Sequence, residues 1–474
     1  MSELHDLSAL ELWRLLQAGE TSPVELTAHY LERIERIDPA VGAFVTVTRD
    51  AALERARVVQ DTVPTAAPLW GLPSADKDLL RRAGVPTGFG SRAFAGFVPD
   101  ESDPLVIDMD DAGAVSLGKT ATPEFGLPSY TESLASGPTR NPWNTELGAG
   151  GSSGGAAAAV AAGLLPFAVG SDGGGSVRIP AAACGLVGLK PSRGRVPGGS
   201  GLASLAGLAV AGPIARSVVD AAFLFDGMIS PRGLPAAHRS AVRAPGDDGP
   251  FLASAVHGEG RFQLGVTTSS AWDEYTDIRI EEPALAALTI ARSALERRGH
   301  GTEDLVLDPE PGYAPAFRTI WQAGAAAIPV DGEREELLEP LTRWLLERGR
   351  AVPARQLVES LAWLADYEMR LIAQLSTFDA VLTPALAMTP RPIGWYDASD
   401  GERNFDQQVR YTPFTSWVNV SGLPAITVSV HDTDDGLPMG VQLIGRPGGE
   451  AVLLSLASQL ERAVRRPVRH PALW

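Results

Sequence analysis

Residues 148–178 read GAGGSSGGAAAAVAAGLLPFAVGSDGGGSVR. Two Gly/Ser loops flank a run of small residues, GGAAAAVAAG, and an apolar run, PFAVGSD. A Gly/Ser run alone is more often a flexible linker than a site. Here the small residues suit a helix that can pack tightly under a sheet, and the apolar run suits a buried strand ending in a second glycine turn. Such a loop–helix–strand–loop unit could bring Ser152 and Ser176 together in space, although they stand 24 residues apart. The glycines before Ser176 let consecutive main-chain N–H groups turn toward one point, which is what stabilising an oxyanion requires.

Short apolar strands of the same style recur on both sides: AVSL (114–117), GLVGLKP (185–191), FQLGVTT (262–268), DAVLTPAL (379–386) and AITVSV (425–430). Their alternation with helical patterns predicts an α/β fold with a mostly buried sheet. Leu10, Leu12, Leu15, Leu16, Leu26, Tyr30, Leu31 and Ile34 fall at helical spacing. The break at GETSP (19–23) divides them into two helices, the second capped by Ser22 or Thr21 with Pro23 at its first position. An Ala/Arg/Glu-rich helix is expected over 43–60. LWGLPSADKDLL (69–80) reads as a turn and a short buried strand carrying Lys77 and Asp78, and 104–120 as a helix followed by a strand. Segment 221–260, with SPRGLP and RAPGDDGP, reads as a loop-like excursion, 313–375 as helical, and 389–412 as an irregular surface loop. Nothing repeats at a solenoid period.

The 474 residues are 45% apolar and carry a formal charge of −17. No basic run appears, which argues against a nucleic-acid surface. No secretory leader or span of 18 uninterrupted apolar residues is visible, so a cytoplasmic protein without a membrane partner is expected. One cysteine, Cys184, excludes an internal disulfide, and seven histidines without metal-ligand spacing make a structural metal unexpected. Cys184, among small apolar residues, reads as core. The cation usage is lopsided: three lysines, Lys77, Lys119 and Lys190, against 37 arginines. Codon bias accounts for the scarcity but not for the positions. A buried lysine can lose its proton near neutral pH, whereas guanidinium cannot. If Ser176 is a nucleophile it needs a base, and no histidine stands between His29 and His238. Lysine is the remaining candidate in this region.

GLPSADKD, GKTATPEFG, GPTRNPWN, GGSSGG, GSDGGGSVRIPAAACGLVGLKPSRGRV and GPIARSVVDAA, in that order, resemble the blocks of the amidase signature family of Ser-cis-Ser-Lys hydrolases. FDAVLTP, YTPFTSWVNVSGLPAITV and GLPMGVQLIG resemble its C-terminal blocks. The resemblance implies one domain over 1–474, a mixed sheet between helical layers, where length alone suggests two or three domains. It further implies a signature core over 69–225 and a variable, substrate-shaping segment over 226–375. Carried over by position, it implies Lys77 as base, Ser152 as bridging serine after a cis peptide from Gly151, and Ser176 as nucleophile. Gly173, Gly174, Gly175 and Ser176 would supply an oxyanion hole. Asp172 and Arg178 are expected to brace the loop, Ser153 to assist Ser152, and Lys119 and Lys190 to serve structure. No cofactor is called for.

The leading expectation is a stand-alone amidase that converts a carboxamide or a linear or cyclic amide to carboxylate and ammonia or amine, with a small-molecule amide as its partner. A homodimer is compatible with it. Phe125, Leu127 and Tyr130 are candidates for an apolar acyl pocket, with Trp321, Tyr313 and Gln322 as weaker ones. The wording of GSVRIPA and CGLVGLKP also resembles members that act on nylon-type cyclic amide oligomers. The alternative is the glutamine-hydrolysing subunit of a tRNA-dependent amidotransferase. Glycine at 173, where those subunits carry threonine, weighs mildly against it. A catalytically silent binding protein is a third reading, opposed by the presence of Lys77, Ser152 and Ser176 together.

Overall fold

The apolar runs pair into an eight-stranded mixed sheet, in spatial order Gly301–Asp304, Gln263–Val266, Ala380–Pro384, Pro438–Gly445, Ala425–Asp432, Val187–Lys190, Val210–Ala215 and Phe167–Asp172. The first three run parallel to one another and every later neighbour pair is antiparallel. A smaller sheet has the order Phe44–Val47, Val115–Thr120, Pro73–Lys77, and its last strand packs beside Phe167–Asp172. These features come from a computed structural model that describes residues 3–197, 201–229, 250–465 and 469–474.

Successive strand residues point to opposite faces, and the large sheet uses both. Leu382, Ile426 and Leu443 join the core beneath helices Val218–Met228, Glu282–Arg297 and Glu450–Val464. Val381, Ala425 and Ile444 join a second core beneath Tyr313–Ala326, Ala354–Leu375 and Ser416–Val420. The α/β class with helices on both faces is thus as expected. Among the described residues no helix is long and apolar enough to cross a membrane.

Local signals explain most of the boundaries. Ser8 and Ser22 each form a capping box with a glutamate three residues on, opening Ala9–Ala18 and Pro23–Val41, with Pro23 in the first turn. Three expectations change. Residues 44–47 are a strand, because FVTV pairs with Val115–Thr120, and the helix begins only at Arg49. Segment 221–260 is less loop-like than expected: Val218–Met228 and Phe251–His257 are helices with buried apolar faces, while residues 230–249, which hold most of the Gly/Pro clusters, lie outside the described residues. The segment 389–412 contains the helix Gly401–Tyr411, capped by Asp400, whose carboxylate accepts from the Glu402 and Arg403 amides.

The small-residue helix expected from 154 spans Gly154–Ala161, and every residue in it is buried. Its lack of side-chain bulk is a packing requirement. A Cβ at Gly155 would stand 2.3 Å from the Ala121 amide nitrogen and 2.5 Å from the Ala43 carbonyl oxygen, so the backbones of the helix and the small sheet meet without a side chain between them. Because both obstacles are main chain, neither can swing aside. Overpacking a core costs about 1–3 kcal/mol, and Gly155→Ala is expected at the upper end of that range. Urea denaturation of the purified variant measures this, and an unchanged midpoint would contradict the close packing.

Candidate active site

The strand Pro73–Lys77 is buried along its length and ends on Lys77, paired in parallel register with Thr120. Lys77 is fully buried, and its Nζ lies 2.8 Å from Ser152 Oγ and 2.9 Å from Ser171 Oγ. Its partners are hydroxyl and carbonyl oxygens only. Burial pulls the ammonium pKa down to about 7, and the more distant Asp172 carboxylate opposes the shift without cancelling it. Asp78 points the other way, accepting from the Gly88 and Gly90 amides and facing Lys119 at 3.7 Å. The Gly151–Ser152 peptide is cis.

Strand Phe167–Asp172 delivers the second glycine loop, and Ser176 lies at its end, 7% exposed. Asp172 organises this loop. Its Oδ1 accepts from the Gly175 amide at 2.7 Å and its Oδ2 from the Val177 amide at 3.2 Å. The guanidinium of Arg178 closes on both oxygens at 2.9 and 3.0 Å, and both residues are fully buried. Burial acts to raise the Asp172 pKa, but the Arg178 charge and hydrogen bonds hold it well below the usual carboxylate range. Arg178 also donates to Gln442, to the Thr415 carbonyl and to Asn419, tying the loop to the second half of the chain.

One expectation about this loop needs correcting. The Gly175 amide is engaged by Asp172, so of the four amides expected to act together only those of Gly173, Gly174 and Ser176 remain candidates. Gly175 has φ of +128°, and a Cβ there would stand 2.4 Å from Thr415 Oγ1, so glycine is required for conformation and for space. Ser153 also differs from its expected part. Its hydroxyl donates to the Ser171 carbonyl at 3.2 Å rather than serving Ser152, and its amide donates to the Ser176 carbonyl at 3.2 Å, joining the two Gly/Ser loops directly.

Ser176 and Gly174 open onto a cleft whose apolar wall comprises Leu127, Ile179, Trp272, Phe317, Trp321 and Phe405. Ser129, Gln408, Thr412 and Ser416 add neutral polar groups, and no charged side chain lines it among the described residues. Phe317 and Trp321 stack with ring centroids 5.5 Å apart. Ser416 Oγ accepts from Trp272 Nε1 at 2.9 Å and lies 2.8 Å from the Tyr313 hydroxyl, which fixes the Trp272 side of the wall.

Of the pocket candidates named from sequence, Leu127 and Trp321 line this cleft. Phe125 does not; it packs edge-on against Phe94 in a separate cluster. Tyr130 stacks on Tyr396 at 4.0 Å and faces a neighbouring, larger cleft beside Glu132, Glu339 and Trp395. Tyr313 supports the wall from behind, and Gln322 is not on it. The sequence reading missed Ser171, Trp272, Phe317 and Phe405. Ser171 was within reach, one residue before Asp172 at a strand end. The aromatics belong to segments with no motif, and only folding brings them to Ser176. Lys119 donates to the Leu80 carbonyl and to Thr87, and Lys190 to the Pro191 carbonyl at 3.0 Å; neither reaches the cleft. Cys184 is buried, and burial pushes its thiol pKa well up.

Comparison with known proteins agrees with this architecture. The Amidase family profile matches residues 25–454. The chain is 38% identical over 467 residues to AmiB2 of Mycobacterium tuberculosis, covering 96% of each. It is 34% identical over 492 residues to a glutamyl-tRNA(Gln) amidotransferase chain of Acinetobacter baumannii, covering 98% of this chain and 97% of that one. The solved structure of a 6-aminohexanoate cyclic dimer hydrolase with its substrate superposes with a TM-score of 0.89 over the full length of both chains, at 30% identity. On the fold and these matches together, the chain belongs to the amidase signature family, enzymes that hydrolyse carbon–nitrogen amide bonds.

Proposed function

We propose that this protein is a stand-alone amidase that hydrolyses an uncharged, largely apolar amide through an acyl-enzyme on Ser176. The observation that carries the reading is the fully buried Lys77, with Nζ 2.8 Å from Ser152 Oγ and no carboxylate among its hydrogen-bond partners. A lysine in that setting can be neutral near pH 7, and its nitrogen lone pair can accept the Ser152 hydroxyl proton.

In the proposed reaction Ser176 Oγ attacks the amide carbonyl carbon and passes its proton to Ser152, which gives its own to Lys77. The carbonyl π pair moves onto oxygen, which takes hydrogen bonds from the Gly173, Gly174 and Ser176 amides. Each such donor can be worth about 3 kcal/mol of barrier. As the oxyanion collapses, the C–N bond breaks and the proton returns from Lys77 through Ser152 to the leaving nitrogen. Water then attacks the Ser176 ester by the same relay, releasing carboxylate. Side chains and main-chain amides suffice for every step.

The cleft supports an apolar acyl group. Three of its aromatic walls, Trp272, Phe317 and Trp321, come from the 226–375 segment, in keeping with a substrate-shaping role for that segment and a catalytic core over 69–225. A linear or cyclic amide fits this description. The glutamine-hydrolysing reading draws on the identity to the amidotransferase chain. The glutamine α-ammonium and α-carboxylate would need charged partners, and the cleft lining offers none among the described residues.

The purified chain is expected to release ammonia or amine from apolar primary amides, anilides or cyclic amide oligomers, with Ser176→Ala as the blank. Turnover of glutamine alone, or none until a second protein is added, would favour the amidotransferase. Lys77→Ala is expected to lower kcat by at least about 1000-fold, within the range by which a positioned base accelerates reactions, with circular dichroism unchanged. Near-normal turnover at pH 7 would remove lysine from the relay.

The pH dependence follows from the direction of the Lys77 shift. The base works when deprotonated, so kcat/KM should rise about tenfold per pH unit below 7, bend near 7 and level off above it. A profile flat from pH 5 to 9, with chemistry shown to be limiting by a solvent isotope effect, would contradict a lysine base.

A further inference from the structure

The glycine run 173–175 is the least constrained kind of backbone, since each residue has a wide choice of φ and ψ. An oxyanion hole, in contrast, works only if its donors are in place before the reaction begins. Something must therefore hold the Gly174–Gly175 peptide, because it links the peptides that carry the Gly174 and Ser176 amides, and any uncompensated change in its orientation moves one of those amides relative to the other. Its two polar groups are held from opposite sides. The Gly175 N–H donates to Asp172 Oδ1 at 2.7 Å, and the Gly174 carbonyl accepts from the Thr415 hydroxyl at 2.6 Å.

Thr415 is well placed to act as a fixed clamp. It is 1% exposed, and its own carbonyl accepts from Arg178 at 3.1 Å, the same guanidinium that grips Asp172. Its hydroxyl also lies 3.2 Å from the Thr412 carbonyl, but the single proton favours the shorter contact to Gly174. The side chain presses on the Gly175 Cα so closely that any Cβ there would overlap it. One end of the peptide is therefore held by the loop's own carboxylate, and the other by a residue 241 positions later in the chain.

We propose that Thr415 is a positioning residue for the oxyanion hole, its hydroxyl fixing the Gly174–Gly175 peptide so that the Gly174 and Ser176 amides converge on the developing oxyanion. The assignment rests on the reading of Ser176 as nucleophile. Thr415 touches no reacting atom, so its loss acts on the transition state through the loop. Substrate binding in the aromatic cleft is expected to be spared.

Thr415→Val keeps the shape and removes the proton, leaving the Gly174 carbonyl without a donor. With the best amide found for the wild-type enzyme, kcat is expected to fall at least about tenfold while KM stays within about twofold, as for a lost transition-state interaction. Inhibition by phenylboronic acid, which forms a tetrahedral adduct with a nucleophilic serine, should weaken by a similar factor. Thr415→Ser, which retains the hydroxyl, should recover kcat to within about threefold of wild type. Should the valine variant fail to fold, Thr415→Ala removes the hydroxyl without filling space and serves the same comparison. Unchanged kcat in a folded valine or alanine variant would overturn the assignment, as would a serine variant as impaired as valine, which would place the effect in methyl packing. Ser176→Ala assayed in parallel separates the two readings. If it is active, the nucleophile is wrong; if it is dead while Thr415→Val turns over normally, only the Thr415 role is wrong.

Discussion

The buried pair of Asp172 and Arg178 is the constraint on which the site depends. Two opposite charges with no exposure are stable only when each is hydrogen-bonded as well as paired. Here the carboxylate takes the Gly175 and Val177 amides, the Asn419 side-chain amide and both arms of the guanidinium. The guanidinium donates besides to the side-chain oxygens of Gln442 and Asn419 and to the Thr415 carbonyl. Removing either partner would strand a buried charge, at a cost of about 3–5 kcal/mol. The same bonds curl the glycine loop, so the stability of the pair and the shape of the loop are one property. They also join residues 172–178 to residues 415–442, which makes the local turn a tertiary object.

Lys77 is the counterpart, a charged-type residue whose surroundings favour its neutral form. It reaches the loop from another sheet, at the buried end of Pro73–Lys77, and meets serine hydroxyls rather than a carboxylate. Its sequence neighbour Asp78 is on the opposite face with Lys119, so a carboxylate one residue away does not become its ion-pair partner. The chain leaves the strand after Lys77, and Asp78 is held by the Gly88 and Gly90 amides, so two ionisable groups adjacent in the chain stand apart in space. The aromatic cleft completes the environment, since its apolar walls make the surroundings of Ser176 less polar than bulk water, and in such surroundings a hydrogen bond to a charge is stronger.

Much of this was legible in the residues. Apolar runs between helical patterns announced the α/β class, and the helical spacing from Leu10 to Ile34, broken at GETSP with a cap at Ser22 or Thr21 and Pro23 after it, announced two helices, because these signals are local. GGAAAAVA could be read as a close-packing helix because only small residues permit such contact, as Gly155 shows against Ala121 and Ala43. Where local signals misled, longer-range pairing had won. FVTV was drawn from a helix into a strand by its partner Val115–Thr120, and the helix at 401–411 was hidden in a polar, turn-like stretch until its Asp400 cap was seen.

From the sequence alone, Lys77, Ser152, Ser176 and the glycine run stood out as candidates, because the motifs that hold them, in their order, resemble the blocks of the amidase signature family. The sequence could not determine which amide of the glycine run is engaged, which aromatics face Ser176, or what holds the loop still. The Gly175 amide is withdrawn by Asp172, the cleft wall is assembled from Trp272, Phe317, Trp321 and Phe405, and the clamp comes from Thr415. The Gly175–Asp172 bond is local, but the charge pair that fixes Asp172, the cleft wall and the clamp join segments far apart in the chain, where direction and distance are set by how the sheet and its two helical layers pack, and no spacing along the chain encodes them.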